Sequence, residues 1–197
     1  PALTGTSPAP EPAAVRPPGH YVSHNPEGLE EGGTRLLALH VGQHSLEFTT
    51  GDGVFSKSAL DAGSALMIET FLEKARALEG VHILDLGCGC GALGIVASSL
   101  SGGGPLCMLD ADVEAVRSAT RSAQANGIET FRALTSDVAS AVLDERFDLV
   151  VTNPPFPGGK ATDLDVPIQF IEDAFQVLTS GGQLFLVANR TLPYEQA

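Results

Sequence analysis

The chain has 197 residues, 43% of them apolar and 18% charged, the size and balance of one globular domain with its own core. Its apolar runs are short and broken by Gly or charge, which excludes a helix that spans a bilayer. The 11 Lys and Arg stand against 24 acidic residues, and the net charge of −13 excludes a broad basic face of the kind that grips nucleic-acid phosphates.

Residues 1–19, PALTGTSPAPEPAAVRPPG, are rich in Pro and Ala and nearly free of large apolar side chains. They are expected to form a disordered tail or linker, with the folded domain in residues 20–197. Two strands follow, LLALHV and HSLEFT, turning at Gly42-Gln43. Beyond the Gly-rich stretch TTGDGVFS, the spacing predicts a helix over Asp61–Leu78, with Leu60, Leu66, Met67, Phe71 and Ala75 near one face. Strands and helices then alternate. VHILDL is a strand and Gly91–Leu100 a helix; PLCMLD is a strand and Val113–Ala125 a helix. TFRALT and FDLVVT are strands, Ile168–Leu178 is a helix, and QLFLVA is a strand. This alternation predicts an α/β, Rossmann-like fold: a doubly wound, mostly parallel sheet with helices on both faces, preceded by a small β-hairpin. Ligands of such sheets bind beyond the carboxyl ends of the strands, where the strand order reverses.

The first loop in that position is Asp85-Leu86-Gly87-Cys88-Gly89-Cys90-Gly91-Ala92-Leu93-Gly94. Gly87, Gly89 and Gly91 allow a sharp turn and a close ligand approach, and the helix that starts at once turns its free N–H groups toward the ligand. Gly89-x-Gly91-x-x-Gly94 also fits a dinucleotide fingerprint, with Asp110 near the distance of a ribose-binding acid. Asp85 argues against that reading, because a carboxylate at the strand's end repels a pyrophosphate. It suits a ligand with an ammonium group, such as the methionine half of S-adenosylmethionine. Asp110 ends the next strand and can accept both ribose hydroxyls; Asp112 reads as a helix cap. Asp137 follows the third strand, where it can accept from an adenine amino group. Cys88 and Cys90, with only Cys107 elsewhere, are a poor zinc set and read as small fillers of a tight turn, so no metal is expected. Three cysteines make no disulfide framework and point to a reducing, cytoplasmic setting.

The second loop is Asn153-Pro154-Pro155-Phe156, after FDLVVT. Two prolines fix the backbone and remove donors, leaving carbonyls to face a ligand. The Asn153 side chain adds another. Rigid acceptors can bind the hydrogens of an NH2 group, aim its lone pair at a methyl donor, and stabilise the positive charge that develops on the nitrogen. Phe156 offers a flat face for a base or amide. No general base is assigned, so the pH profile is expected to lack a limb from Asp85 or Asp137.

DLGCGCGALG, LDADVEAV, SDV and NPPF, in this order and spacing, resemble the N-methyltransferases with an Asn-Pro-Pro loop. HYVSHNP, FTTGDGVFSKSALDAGSALMIE and the PYE of Pro193–Glu195 are similar to segments of the methyltransferase small-domain family, whose best-known members methylate guanine N2 in ribosomal RNA. The resemblance covers Tyr21 to Glu195. It implies S-adenosylmethionine as cofactor, lined by Asp85, Gly87, Gly89 and Asp110, with Asp137 at the adenine and Asn153 to Phe156 at the acceptor. It also implies that Phe55, Ser56 and Asp61 close over the site; read alone, Phe55 is a core residue and Asp61 a helix cap. The family often has His where this chain has Pro157, commonly carries a second, degenerate domain upstream, and usually ends its sheet in an antiparallel hairpin. The chain opens at Pro1 and stops at Ala197, which gives the expectation that both ends are cut and that the hairpin is missing.

The resemblance implies methylation of a guanine amino group in ribosomal RNA, either free or presented within a ribosomal subunit. Two other readings stay open at this level. Glutamine methyltransferases of the release-factor type share the Asn-Pro-Pro loop, though usually with Tyr where Phe156 stands, and an acidic enzyme suits a basic protein acceptor. A non-catalytic cofactor-binding module should have lost one of the two loops, and this chain keeps both.

Overall fold

A strand buried from end to end needs neighbours on both edges and cover on both faces, and β5 (Ile83–Leu86) has both. The computed structural model describes residues 21–24, 29–30, 34–50, 60–74, 78–155 and 165–188. In it β5 is flanked by β6 (Leu106–Asp110) and then β7 (Phe131–Thr135) on one side, and by β8 (Phe147–Thr152) and then β9 (Leu178–Leu186) on the other. Every neighbouring pair is parallel. The chain steps outward from β5 to β7 and then returns to place β8 beside β5, so the order reverses between β5 and β8. The Thr152 hydroxyl donates to the Leu86 carbonyl at 2.6 Å and ties the ends of these two strands together.

Side chains alternate across the sheet with the period of two that strands impose. Ile83, Met108 and Val151 face one core, shared with α1 (Ala62–Lys74), α2 (Ala92–Leu100) and α3 (Val113–Ala125). Leu84, Leu109 and Val150 face the other, closed by Phe170, Ala174 and Val177 of α4 (Asp165–Val177). Among the described residues no helix is long and apolar enough to cross a membrane.

The expected hairpin is present and belongs to a larger antiparallel sheet. β3 (Thr34–Val41) pairs with β4 (His44–Thr50) on one edge and with the short β1 (Tyr21–His24) and β2 (Leu29–Glu30) on the other. The turn falls at Gly42-Gln43, with φ 59 at Gly42. The outer edge of β4 is completed by side chains of α3 and its cap. Thr49 N–H donates to Ser122 Oγ at 3.0 Å, and the Ser118 hydroxyl donates to the Thr49 carbonyl. Asn126 accepts from Glu47 N–H at 2.9 Å and donates to its carbonyl at 2.6 Å. Three residues four apart thus satisfy an edge strand that would otherwise leave its polar groups unpaired.

Several expectations need correction. In α1 the buried face is Ser64, Met67, Ile68 and Phe71, and Leu66 lies on the opposite side with 63% of its surface exposed. The described helix spans Ala62–Lys74, and Ala75, expected on its buried face, lies with residues 76–77 outside the described residues. The last helix is described from Asp165, earlier than expected, and takes in Pro167, two residues after the first described position. It ends at Val177, and β9 follows directly. The 1–19 segment and Pro193–Glu195 lie outside the described residues.

Candidate active site

A cleft of about 850 Å³ opens over the carboxyl ends of β5, β6, β7 and β8, where the strand order reverses. Asp85, Gly87, Gly89, Asp110, Asp137, Asn153, Pro154 and Pro155 all line it, so both loops and all three strand-end acids meet in one place. Phe55, Ser56 and Phe156 lie outside the described residues.

Asp85 alternates with Leu84 and Leu86 and so turns toward α2. It is 1% exposed, and its Oδ2 accepts the Gly94 N–H at 2.8 Å, a free donor in the helix's first turn. A Cβ at Gly94 would stand 2.8 Å from Asp85 Cβ, so this position has room for glycine alone. Burial pushes the Asp85 carboxyl up to about 7; the Gly94 N–H pulls it down, and the nearby charge of Asp110 raises it. The charged form is therefore costly in the empty cleft, and a cation placed beside it would offset that cost. This raised value confines the expected flat pH profile to turnover at saturating cofactor, because binding of a cation must compete with the Asp85 proton.

The glycine loop turns through three left-handed residues, with φ of 75, 55 and 83 at Gly87, Gly89 and Gly91. It hangs from β6: the N–H groups of Gly87 and Cys88 reach the Leu109 carbonyl at 2.8 and 2.9 Å, and Gly89 N–H reaches Asp110 Oδ2 at 2.8 Å. A Cβ at Gly89 would meet nothing within 4 Å, which leaves its face open to a ligand. Gly91 is different. It is not among the residues that line the cleft, and a Cβ there would stand 3.0 Å from Met108 Sδ and 3.3 Å from Ala119 Cβ. Its role is packing and the entry into α2, where it stands at the N-cap. Cys88 and Cys90 are buried, and burial pushes both thiols up, Cys90 to about 11. They are neutral fillers of the turn.

Asp110 uses one lone pair of each oxygen within the protein, Oδ2 for Gly89 N–H and Oδ1 for Asp112 N–H at 2.9 Å, and keeps others for a ligand. Asp112 caps α3 by accepting Glu114 N–H at 2.8 Å. Asp137 stands exposed at the rim, one residue before Val138.

Asn153 leaves β8 with its orientation fixed. Its Nδ2 donates to both carboxylate oxygens of Asp61 at 3.2 Å and to Ser64 Oγ at 3.0 Å. A carboxylate only accepts, so the amide must present its nitrogen to Asp61, and the carbonyl Oδ1 is the atom left for the cleft. Asp61 is itself held as the cap of α1, taking the N–H groups of Gly63 and Ser64 at 3.0 and 3.1 Å. The expected cap and the implied closing residue are one side chain.

Sequence reasoning missed Ser64, Gln169 and Phe170. Ser64 had a signal, since it stands three residues after a capping Asp and shares its side of the helix. Phe170 packs under Gly87, at 3.0 Å from where a Cβ would stand, and nothing in the α4 sequence marks it.

Residues 45–197 match the family model of the methyltransferase small domain. The ribosomal RNA small subunit methyltransferase C of Hahella chejuensis is 39% identical over 150 residues, covering 76% of this chain and 42% of that protein. Its namesake from Serratia proteamaculans is 41% identical over 151 residues, covering 77% and 42%. The chain thus spans less than half the length of these relatives. The structure is similar to that of a T. thermophilus 16S rRNA N2 methyltransferase in complex with AdoMet and guanosine, with a TM-score of 0.72 and 32% identity over 90% of this chain and 52% of that one. With the family model and the relatives each covering about three quarters of its length, and both loops in one cleft, the chain belongs to the methyltransferase small domain family.

Proposed function

We propose that this chain carries the catalytic centre of an S-adenosylmethionine-dependent N-methyltransferase that modifies the 2-amino group of a guanine in ribosomal RNA. The observation that carries the reading is the Asn153 amide, locked by Asp61 and Ser64 with its carbonyl left for the cleft, beside a glycine loop that starts from a buried carboxylate. The residues that line the cleft fit the cofactor: Asp85 would face its ammonium, the open side of Gly89 would admit its methionine part, Asp110 would take its ribose and Asp137 its base. When bound, the cofactor supplies a methyl group activated by a sulfonium. Asn153 Oδ1 accepts one hydrogen of the incoming amine and, with the carbonyls of the Pro-Pro turn, aims the lone pair. The same oxygen stabilises the nitrogen as it becomes positive, and the proton leaves to water afterward. Contacts to RNA phosphates fall to parts of the protein other than this acidic chain, such as an upstream domain. The buried free thiols fit a reducing cytoplasm.

A net charge of −13 favours a second acceptor, a glutamine on a basic protein. Full-length protein should be incubated with methyl-labelled cofactor and, separately, ribosomal subunits, naked RNA, ribosomal proteins and release factors. Label on guanine N2 supports the proposal, and label on a protein glutamine replaces it with the second reading. Calorimetry should show binding of S-adenosylhomocysteine without competition from NADH. Asp110→Ala should weaken that binding by about 1.5–3 kcal/mol, the scale of a hydrogen bond to a charged group. Unchanged affinity would remove Asp110 from the cofactor's partners.

A further inference from the structure

Among the described residues Val138 is the one non-glycine with positive φ, at 45. A β-branched side chain takes that conformation only where its surroundings force it, and such forcing gathers at ligand clamps. Val138 lines the cleft next to Asp137. The force has a visible source one residue further on. Ala139, fully buried, donates its N–H to Asp173 Oδ2 at 3.0 Å. Asp173 lies on α4, is 8% exposed, and takes Gln169 Nε2 on its other oxygen at 2.5 Å. It is not among the residues that line the cleft.

The local hydrogen bonds explain why this donor needs a partner from α4. The Asp137 carbonyl takes Ser140 N–H at 3.0 Å, the Ala139 carbonyl takes Val142 N–H at 2.9 Å, and Ser136 Oγ takes Ala141 N–H at 3.1 Å. These bonds close the turn but leave Ala139 N–H pointing into the second core, where an unpaired donor is costly. A left-handed Val138 delivers that N–H to Asp173. Released from it, the segment can relax to the ordinary right-handed or extended basin, and the peptide that carries Asp137 turns with it.

We propose that Asp173, steadied by Gln169, is a positioning residue that sets the base end of the cofactor site by pinning Val138 in its left-handed conformation and so presenting Asp137 to the cleft. The proposal rests on the S-adenosylmethionine reading. It adds α4 as an element that sets affinity for the base without touching it through Asp173.

The test compares S-adenosylhomocysteine and adenosine as ligands of the full-length protein, by titration calorimetry. Wild type should bind both; if it binds neither, the cofactor reading fails and the proposal with it. Asp173→Ala should weaken both ligands by the same factor, about tenfold, since the shared part is the adenosine. Adding Val138→Gly should restore most of the loss, because glycine adopts φ 45 without steric cost. Where Asp173→Ala does not fold, Asp173→Asn serves instead: it keeps the shape but offers one acceptor to the two donors Ala139 N–H and Gln169 Nε2, with a smaller loss and the same rescue by Val138→Gly. A role in stability alone predicts a lower melting temperature with unchanged adenosine affinity. That result overturns the proposal where wild type binds normally, as does a loss confined to S-adenosylhomocysteine or a failure of Val138→Gly to restore binding.

Discussion

Asn153→Ala should slow methyl transfer at saturating substrates by about 100- to 1,000-fold, the scale on which one preorganised polar partner of a developing charge is lost. The side chain offers its Oδ1 only because Asp61 and Ser64 hold Nδ2. Its hydrogen bonds run to α1 and its cap, away from the residues assigned to the cofactor, so S-adenosylhomocysteine affinity should stay within about twofold. Asp61→Ala tests the same device from behind. It removes a helix cap, costing about 0.5–2 kcal/mol of stability, and frees the amide to flip. A flipped amide presents a donor to an amine that is itself a donor, so turnover should fall, but less than in Asn153→Ala. The double substitution should be no slower than Asn153→Ala alone, since Asp61 acts through the amide. Rates measured on the true acceptor decide it. Near-normal turnover of Asn153→Ala, or a methyl group found on carbon or oxygen, removes this mechanism.

Much of this site was legible because its chemistry sits where the backbone changes direction. Gly and Pro punctuate the ends of β5 and β8, and an acid stands within two residues of the end of each of β5, β6 and β7. The contact that orients Asn153 was not legible, because Asp61 is 92 positions away and either residue alone reads as a local cap or turn. Gly91 misled for a related reason. A loop glycine is chosen for φ, for ligand approach or for close packing, and the sequence is the same in each case. The serines of α3 were opaque in the opposite sense. A polar stripe on a helix normally faces water, whereas Ser118 and Ser122 are fully buried against β4, whose backbone offers the partners that water would. Asp173 belongs to the same class: its partner is a backbone N–H set by a strained residue, and strain leaves no mark in composition.

Asp85→Asn should make the ligand-free protein more stable above pH 7 and a far weaker binder of cofactor. Burial lifts the Asp85 carboxyl from an ordinary 3.8 to about 7, against the pull of one N–H from Gly94. The folded state therefore holds the Asp85 proton more tightly than the unfolded chain does. Its contribution to stability is fully present below about pH 4 and is lost as pH rises through 7, where folding must bury a charge. The rise to about 7 caps that loss at about 4 kcal/mol. Asn keeps the shape, offers Oδ1 to the Gly94 N–H and carries no charge at any pH, so it should remove most of the loss. Melting curves at pH 5 and pH 8 should converge for Asp85→Asn and diverge for wild type, with roughly 2–4 °C gained per kcal/mol at the higher pH. In the proposed site the cofactor's ammonium would reverse the ranking, because it would neutralise the charge that burial makes costly. Asp85→Asn should cost about a hundredfold or more in S-adenosylhomocysteine affinity, the scale of a partly desolvated charge pair. In wild type the affinity should fall about tenfold per pH unit once pH drops well below 7, and in Asp85→Asn it should be flat over the same range. A carboxylate that weakens the empty fold and strengthens the filled one marks a site shaped for its ligand. Equal affinities for wild type and Asp85→Asn at pH 8, or parallel melting behaviour at both pH values, would take Asp85 out of that role.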